Sequence, residues 1–179
     1  NGKEIKMDLI GIHNYKNASL AIIAATILKI PISKSIDAIA NFSGVKRRME
    51  KASTINLENK KIEIYDDFAH HPTEIKFSIE SLKGKFPEKK LLSICEIRSN
   101  SMIRGTHKDE LYKALNSSDI NLVIASKKVN WKFANNNKIF MIDSLEKIKD
   151  YIKKNLNNFD LILIMSNVDT KEIVKYIKR

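Results

Sequence analysis

Apolar runs of strand length alternate with amphipathic stretches over most of the chain. Strand patterns occur at residues 54–57, 61–65, 91–95, 121–125, 138–142 and 160–165. The first two flank a predicted hairpin turn. Residues 72–86 repeat apolar positions with helical spacing, and further helices are predicted after the Thr106 to Asp109 capping box and near Ser144 and Thr170. This alternation predicts an α/β domain with a mainly parallel sheet flanked by helices.

The front of the chain has a different pattern. Residues 18–28 are apolar on nearly every face, which predicts a helix buried on all sides. Pro31 ends that helix, and Ser33 is predicted to cap a second, shorter one with Ile36 and Ile39 facing inward. Because two helices alone make a poor core, we expect residues 1–46 to pack against residues outside this chain. A domain boundary is predicted within residues 44–48.

Composition indicates an ordinary folded protein. The 179 residues are 43% hydrophobic and 30% charged, and the single cysteine, Cys95, excludes an internal disulfide and favours a reducing compartment. The sequence has no signal-peptide pattern and no apolar run near the ~18 residues that a membrane-spanning helix needs. We therefore expect a cytoplasmic protein that does not enter a membrane.

The formal net charge of +11 suits several anionic partners. Nucleic acid, an acidic membrane surface and polyanionic small substrates all fit such a charge. However, the lysines are spread along helix faces, and no basic cluster is interleaved with aromatic residues as a base-stacking surface requires. We predict no nucleic-acid partner, and a basic binding module for nucleic acid or protein is kept as the alternative of a different class.

Four polar clusters stand at the ends of predicted elements. They are His13 with Asn17, Arg47 with Arg48 and Glu50, the loop from Asp66 to His71, and the stretch from Glu96 to Asn100. The third follows a strand and precedes a helix that begins at Pro72, and ligands usually bind at such loops. We therefore predict Asp67 and Arg98 at the same sheet edge.

Each cluster also has a purely structural interpretation. Asp67 and His71 are equally explained as a loop brace and a helix cap, His13 as a cap, and Arg48 as the ion-pair partner of Glu50.

Little in the sequence indicates a metal site or a catalytic nucleophile. His70 and His71 have no cysteine partner and the other histidines are distant in sequence, so no metal site is predicted. Cys95 lies in an apolar run and is expected to be buried rather than reactive. The chain also lacks a glycine-rich phosphate loop with Gly-Lys-Ser/Thr.

Taken together, the clusters form a known pattern of motifs. The motifs are Gly11-x-His13-Asn14-x-x-Asn17-Ala18, Gly44-Val45-Lys46-Arg47-Arg48-Met49-Glu50, Tyr65-Asp66-Asp67-Phe68-Ala69-His70-His71-Pro72-Thr73-Glu74 and Glu96-x-Arg98-Ser99-Asn100-Ser101-Met102. In order and spacing they resemble the Mur ligase family. The resemblance implies that residues 47–179 form the Rossmann-like C-terminal domain of such a ligase, and that residues 1–46 are the helical tail of its central ATP-binding domain. The phosphate loop and a UDP-binding domain would then lie upstream.

The resemblance also implies roles for single residues. His13 and Asn17 would border the adenine of ATP, Arg48 would reach its phosphates, and Asp67 would contact its ribose. Catalytic roles would fall to Arg48, Asp67 and His70. Substrate contacts would fall to a second set: His71, Arg98, Ser99 and Asn100. ATP and Mg²⁺ would be bound mainly by the upstream domain.

The implied activity is ATP-dependent amide-bond formation in peptidoglycan recycling. Arg98-Ser99-Asn100 favours a family member that joins UDP-N-acetylmuramate to the tripeptide L-alanyl-γ-D-glutamyl-meso-diaminopimelate through an acyl phosphate. Members that add L-alanine typically carry His-Arg-Tyr there, and such a ligase is the alternative. The chain alone is expected to be inactive.

Overall fold

A computed structural model gives the architecture of residues 7, 9–134 and 137–177. Residues 1–6 and 8 of the predicted front segment lie outside the described residues. A short 3₁₀ turn at Leu156–Asn158 follows the sixth helix. The other elements, in chain order, are α1 Ile12–Ile27, α2 Ile32–Ala40, β1 Glu50–Asn56, β2 Lys61–Asp67, α3 Pro72–Lys85, β3 Leu91–Ile97, α4 Asn100–Ile103, α5 Lys108–Leu115, β4 Ile120–Ala125, β5 Ile139–Ile142, α6 Leu145–Asn155, β6 Leu161–Met165 and α7 Lys171–Ile177.

The strands form one six-stranded sheet in the order β1-β2-β6-β3-β4-β5. β1 and β2 are an antiparallel hairpin closed by a backbone hydrogen bond from Leu57 to Lys60, and every other pair is parallel. The predicted α/β class and mainly parallel sheet are therefore confirmed. The predicted hairpin is confirmed as well, with both strands longer than their sequence patterns.

Helices cover both faces of the sheet. On one face α3 and α5 contribute a fully buried set of side chains: Ile75, Ile79, Leu82, Leu111 and Leu115. On the other face α6 and α7 contribute Ile148, Ile152, Ile173 and Ile177. β6 supplies both layers, since its successive side chains point to opposite faces. Such two-sided cover is typical of parallel sheets, whose strands are apolar throughout.

Helix starts are partly as predicted. α3 begins at Pro72, and the Ser144 hydroxyl caps α6 by accepting from the Lys147 amide at 3.4 Å. The predicted capping box at Thr106 is wrong, because α5 begins at Lys108 with no side-chain cap. The preceding turn follows the unpredicted helix α4 and passes through Gly105 at φ 76°. A Cβ there would lie 2.8 Å from the Trp131 ring, so the packing of that ring decides the turn.

The two front helices need larger corrections. α1 begins at Ile12 rather than Ala18, and α2 begins directly after Pro31 without a cap from Ser33. No residue of α1 is buried, and Ile23 in its middle is 56% exposed. The prediction of a helix buried on all sides is therefore wrong within the described residues, because α1 packs mainly on α2 and shows its other faces to solvent. That these faces pack against residues outside the chain stays a prediction.

Two isoleucines, one in the core and one on the surface, provide a test of stability. Ile162 in the central strand β6 is 0% exposed, whereas Ile23 of α1 is 56% exposed. We expect Ile162→Ala to lower the free energy of unfolding by roughly 2–5 kcal/mol, since it removes buried methyl groups and leaves a cavity. The matched Ile23→Ala change should cost less than about 0.5 kcal/mol. Urea unfolding of the 179-residue chain measures both, and equal losses would contradict this assignment of the core.

Candidate functional site

The carboxyl ends of β2, β6 and β3 meet at one edge of the sheet. In the parallel register Asp67 pairs with Met165, and Met165 pairs with Cys95. Residues that follow these strands, among them Ser166 and Arg98, therefore project from the same edge. The prediction that Asp67 and Arg98 share an edge is confirmed.

Asp67 ends β2 and is almost completely buried, with 4% of its surface exposed. Its Oδ1 accepts a hydrogen bond from the Ala69 amide at 2.8 Å, and its Oδ2 accepts one from the Met49 amide at 2.7 Å. The structural interpretation of Asp67 as a brace is thus confirmed. A carboxylate oxygen has room for a second donor, so the brace leaves acceptor capacity for a ligand.

Asp67 also lines a cleft of about 440 Å³ with the front helix. His13 and Asn17 from α1 and Arg48 from the turn before β1 line the same cleft. α1 starts close to α3, because at its N-cap residue Gly11 a Cβ would lie 2.6 Å from the Ser81 hydroxyl. The structure therefore brings together the four residues predicted for nucleotide binding. His13 lies in the first turn of α1 rather than before the helix.

Arg48 is exposed, and its guanidinium lies 5.5 Å from the centre of the Phe68 ring. The interpretation of Arg48 as the partner of Glu50 is wrong, since Glu50 Oε2 instead accepts from the backbone amide of Arg47 at 2.8 Å. Within the described residues the Arg48 guanidinium has no hydrogen bond or ion pair. Its five N–H groups are available to an anionic ligand.

Arg47, its neighbour, is the arginine whose side chain makes contacts within the fold. Its Nε lies 3.3 Å from Asp66 Oδ2, and its Nη2 donates to the Ser166 carbonyl. The Thr170 hydroxyl donates to the same Asp66 oxygen at 2.7 Å. The sequence shows adjacent Arg-Arg and Asp-Asp pairs but does not reveal which members face each other, so this contact was not predicted.

Asp66 is only 6% exposed, and burial raises the pKa of its carboxyl. The Thr170 hydrogen bond and the charge of Arg47 lower that pKa but do not fully offset burial. Because the pKa is higher in the folded chain than in the unfolded one, the ionised carboxylate reduces stability as the pH rises through the folded pKa. The fold therefore retains Asp66 at an energetic cost.

The two adjacent histidines serve different local roles. His71 is the N-cap residue of α3, and the Glu74 carboxylate accepts from its amide at 3.4 Å and from the His70 amide at 3.1 Å. His70 Nδ1 lies 3.0 Å from the Phe68 carbonyl. The cap position of His71 agrees with its structural interpretation.

His107 also lies in this region, although none of the four sequence motifs includes it. Its ring lies 4.8 Å from that of His71, centre to centre. The folding of the β3–α5 connection, rather than a sequence motif, creates this pair. Among residues 7, 9–134 and 137–177, no group of three or more His, Cys, Asp or Glu side chains could hold a metal ion.

The second predicted set follows β3. Arg98 is exposed and donates through Nη1 to Glu96 Oε1 at 2.8 Å, while Glu96 Oε2 accepts from the Ser166 hydroxyl at 2.7 Å. Ser99 caps α4, and Asn100 is exposed in its first turn. These residues share the sheet edge with Asp67 but do not line the cleft of Arg48 and His13. The site thus has two neighbouring parts.

In the portion of the chain that the structure covers, no helix has the length and apolar character needed to cross a membrane.

Comparison with known proteins identifies the family of this chain. A family described as "Mur ligase, glutamate ligase domain" matches residues 47–168. The UDP-N-acetylmuramate–L-alanyl-γ-D-glutamyl-meso-2,6-diaminoheptandioate ligase of Haemophilus influenzae is 33% identical over 170 residues, covering 92% of this chain. The UDP-N-acetylmuramate–L-alanine ligase of Ruthia magnifica is 38% identical over 120 residues, covering 67% of this chain and 25% of that protein.

A solved structure agrees with both the fold and the family. The murein peptide ligase of Psychrobacter arcticus superposes with a TM-score of 0.71 at 30% identity, covering 97% of this chain and 38% of that one. The chain likewise spans only 37% of the Haemophilus protein. The matched residues include the Arg48 turn, the Asp67 loop and Arg98. The chain therefore belongs to the Mur ligase family and carries its C-terminal domain.

Proposed function

We propose that this chain is the C-terminal part of an ATP-dependent ligase of peptidoglycan recycling. The ligase joins UDP-N-acetylmuramate to the tripeptide L-alanyl-γ-D-glutamyl-meso-diaminopimelate. One observation carries the nucleotide half of this proposal: His13, Asn17, Arg48 and Asp67 line a single cleft. In this proposal residues 1–46 belong to the central ATP-binding domain and residues 47–179 to the C-terminal domain.

The chemistry of the cleft suits an adenine nucleotide. The Asn17 amide can both donate to and accept from an adenine edge, with His13 beside it. The Asp67 carboxylate accepts from ribose hydroxyls through the lone pairs that Met49 and Ala69 leave free. Arg48, whose guanidinium has no hydrogen bond or ion pair among the described residues, offers its donors to the phosphates. Magnesium is assigned to the upstream domain.

ATP supplies the phosphoryl group that converts the muramyl carboxylate into an acyl phosphate, and the alanine amine of the tripeptide then attacks the acyl carbon and releases phosphate. In this reaction Arg48 orients the nucleotide and offsets the negative charge that is shared over the transferring oxygens. Asp67 holds the ribose and braces the turn of Arg48. Closing the cleft over the nucleotide excludes water, which would otherwise hydrolyse the acyl phosphate.

The residues after β3 suit a substrate with several carboxylates. Arg98 uses one N–H group on Glu96, and its exposed guanidinium keeps further donors. Asn100 is exposed in the first turn of α4, and the His71 ring lies 4.8 Å from that of His107, which follows α4. We assign His71 to the substrate and His70 to catalysis. The relatives named for the tripeptide match 92% of this chain at 30–33% identity, which supports the peptide over L-alanine. The L-alanine ligase is the second candidate, because the protein of Ruthia magnifica is 38% identical.

The first test separates a ligase part from a binding module. We expect the 179-residue chain alone to show no ATP turnover, since it has no Gly-Lys-Ser/Thr phosphate loop. The full-length ligase, which adds the UDP-binding domain and the rest of the ATP-binding domain, should consume ATP only with UDP-N-acetylmuramate and an amine substrate. Phosphate-release assays measure both. Turnover by the chain alone would refute this division, and salt-dependent nucleic-acid binding at physiological ionic strength would favour the binding module.

The second test identifies the amine substrate. We expect the full-length ligase to use the tripeptide far better than L-alanine, and Arg98→Ala to raise the KM for the tripeptide with less effect on that for ATP. Losing one charge-assisted contact should cost roughly 1.5–3 kcal/mol, or about ten- to a hundredfold in kcat/KM.

Arg104→Ala is the matched control, because Arg104 is also exposed after β3 but has no assigned contact to substrate. Steady-state assays with the two amines decide the outcome. A preference for L-alanine would assign the chain to the L-alanine ligases instead.

A further inference from the structure

The turn before β1 has an uncommon backbone conformation. Arg47 has φ 58° and Met49 has φ 52°, so two side-chain-bearing residues lie in the left-handed region with Arg48 between them. This region is disfavoured for residues other than glycine and persists only where the surroundings impose it. Such backbone strain is concentrated at functional sites.

Hydrogen bonds with three neighbouring residues hold the backbone of this turn. Glu50 Oε2 accepts from the Arg47 amide at 2.8 Å, and the Phe68 amide donates to the Arg47 carbonyl at 2.8 Å. Asp67 Oδ2 accepts from the Met49 amide at 2.7 Å. These three contacts involve the turn's backbone, so a change of side chain at Arg47 leaves them in place.

The Arg47 side chain adds the longer-range contacts. It reaches Asp66 at the end of β2 and the Ser166 carbonyl after β6, which ties the turn to two parallel strands. Its guanidinium also lies 5.4 Å from the centre of the Phe68 ring, the ring that Arg48 approaches at 5.5 Å. The partly buried Arg47 thus fixes the turn, while the exposed Arg48 side chain at its tip makes no hydrogen bond or ion pair with the described residues.

We propose that Arg47 is a positioning residue whose contacts with Asp66 and Ser166 fix the strained turn that presents Arg48 to the cleft. The role of Arg48 in binding phosphate rests on the proposed function. The positioning itself is a property of this chain and is measured without a ligand. A purely structural role would stabilise the domain but leave the order of the Arg48 backbone unchanged.

The decisive variant is Arg47→Gly, since glycine adopts φ 58° without strain and removes only the side-chain contacts. Lys29→Gly is the matched control, because Lys29 also has a left-handed φ, of 61°, and lies at the end of α1 away from the turn. In the 179-residue chain, ¹⁵N relaxation of the Arg48 backbone amide, which donates to the Val45 carbonyl at 3.1 Å, should show lost order in Arg47→Gly. Lys29→Gly should leave it unchanged.

Kinetics of the full-length ligase supply the second measurement. Arg47→Gly should lower kcat/KM for ATP about tenfold or more and leave the KM for the amine substrate unchanged. Combined with Arg48→Ala it should cost nothing further, since a residue that acts only through Arg48 has no effect once Arg48 is gone. Arg47→Lys should retain part of the activity, because a lysine keeps the charge but cannot bridge two acceptors as a fork.

The outcomes are distinct. Unchanged Arg48 order in Arg47→Gly, or an equal loss with and without Arg48, would overturn the positioning role. If Arg47→Gly fails to fold, Arg47→Lys carries the same comparison. A full-length protein without ligase activity would refute the proposed function alone, since the relaxation measurement on the chain still decides the positioning.

Discussion

The last strand of the chain, β6, hydrogen-bonds to β2 on one side and to β3 on the other. All five of its residues are buried, and they feed the apolar layers on both faces of the sheet. Its register sets the ends of β2 and β3 level, and Ser166, which follows it, contacts Arg47 through its carbonyl and Glu96 through its hydroxyl. Both parts of the candidate site therefore depend on β6, which follows the other five strands in the sequence.

The two adjacent carboxylates at the end of β2 accept hydrogen bonds on opposite faces of the sheet. Successive side chains of a strand point to opposite faces. Asp66 accordingly meets Thr170 before α7, and Asp67 meets the Ala69 amide before α3. Each also holds the turn before β1, so that turn is fixed from two directions. Burying two carboxylates is costly, and the backbone and side-chain donors offset much of that cost.

Features that depend on residues close together in the sequence could be predicted from it. The six strands and helix α3 followed from apolar periodicity and Pro72, and the sharing of one edge by Asp67 and Arg98 followed from parallel pairing. The choice of Arg47 over Arg48 as the buried partner did not follow, because identical neighbours differ only in the backbone conformation that tertiary contacts impose. His107 beside His71 and the Gly105 turn depend likewise on long-range packing. The roles of the nine predicted site residues remain predictions, although four of them share one cleft.

The geometry of the sheet edge bears on which amine the site accommodates. β6 separates β2 from β3, and two strand spacings of about 4.8 Å place the loops of Asp67 and Arg98 about 10 Å apart. An extended tripeptide spans about 10 Å at roughly 3.4 Å per residue, whereas a single amino acid spans about a third of that. In the proposed ligase a tripeptide is therefore long enough to span the loops of Asp67 and Arg98, whereas a single amino acid is not. Arg98 already donates to Glu96, so in the proposed ligase a substrate carboxylate would compete with Glu96 for the Arg98 guanidinium.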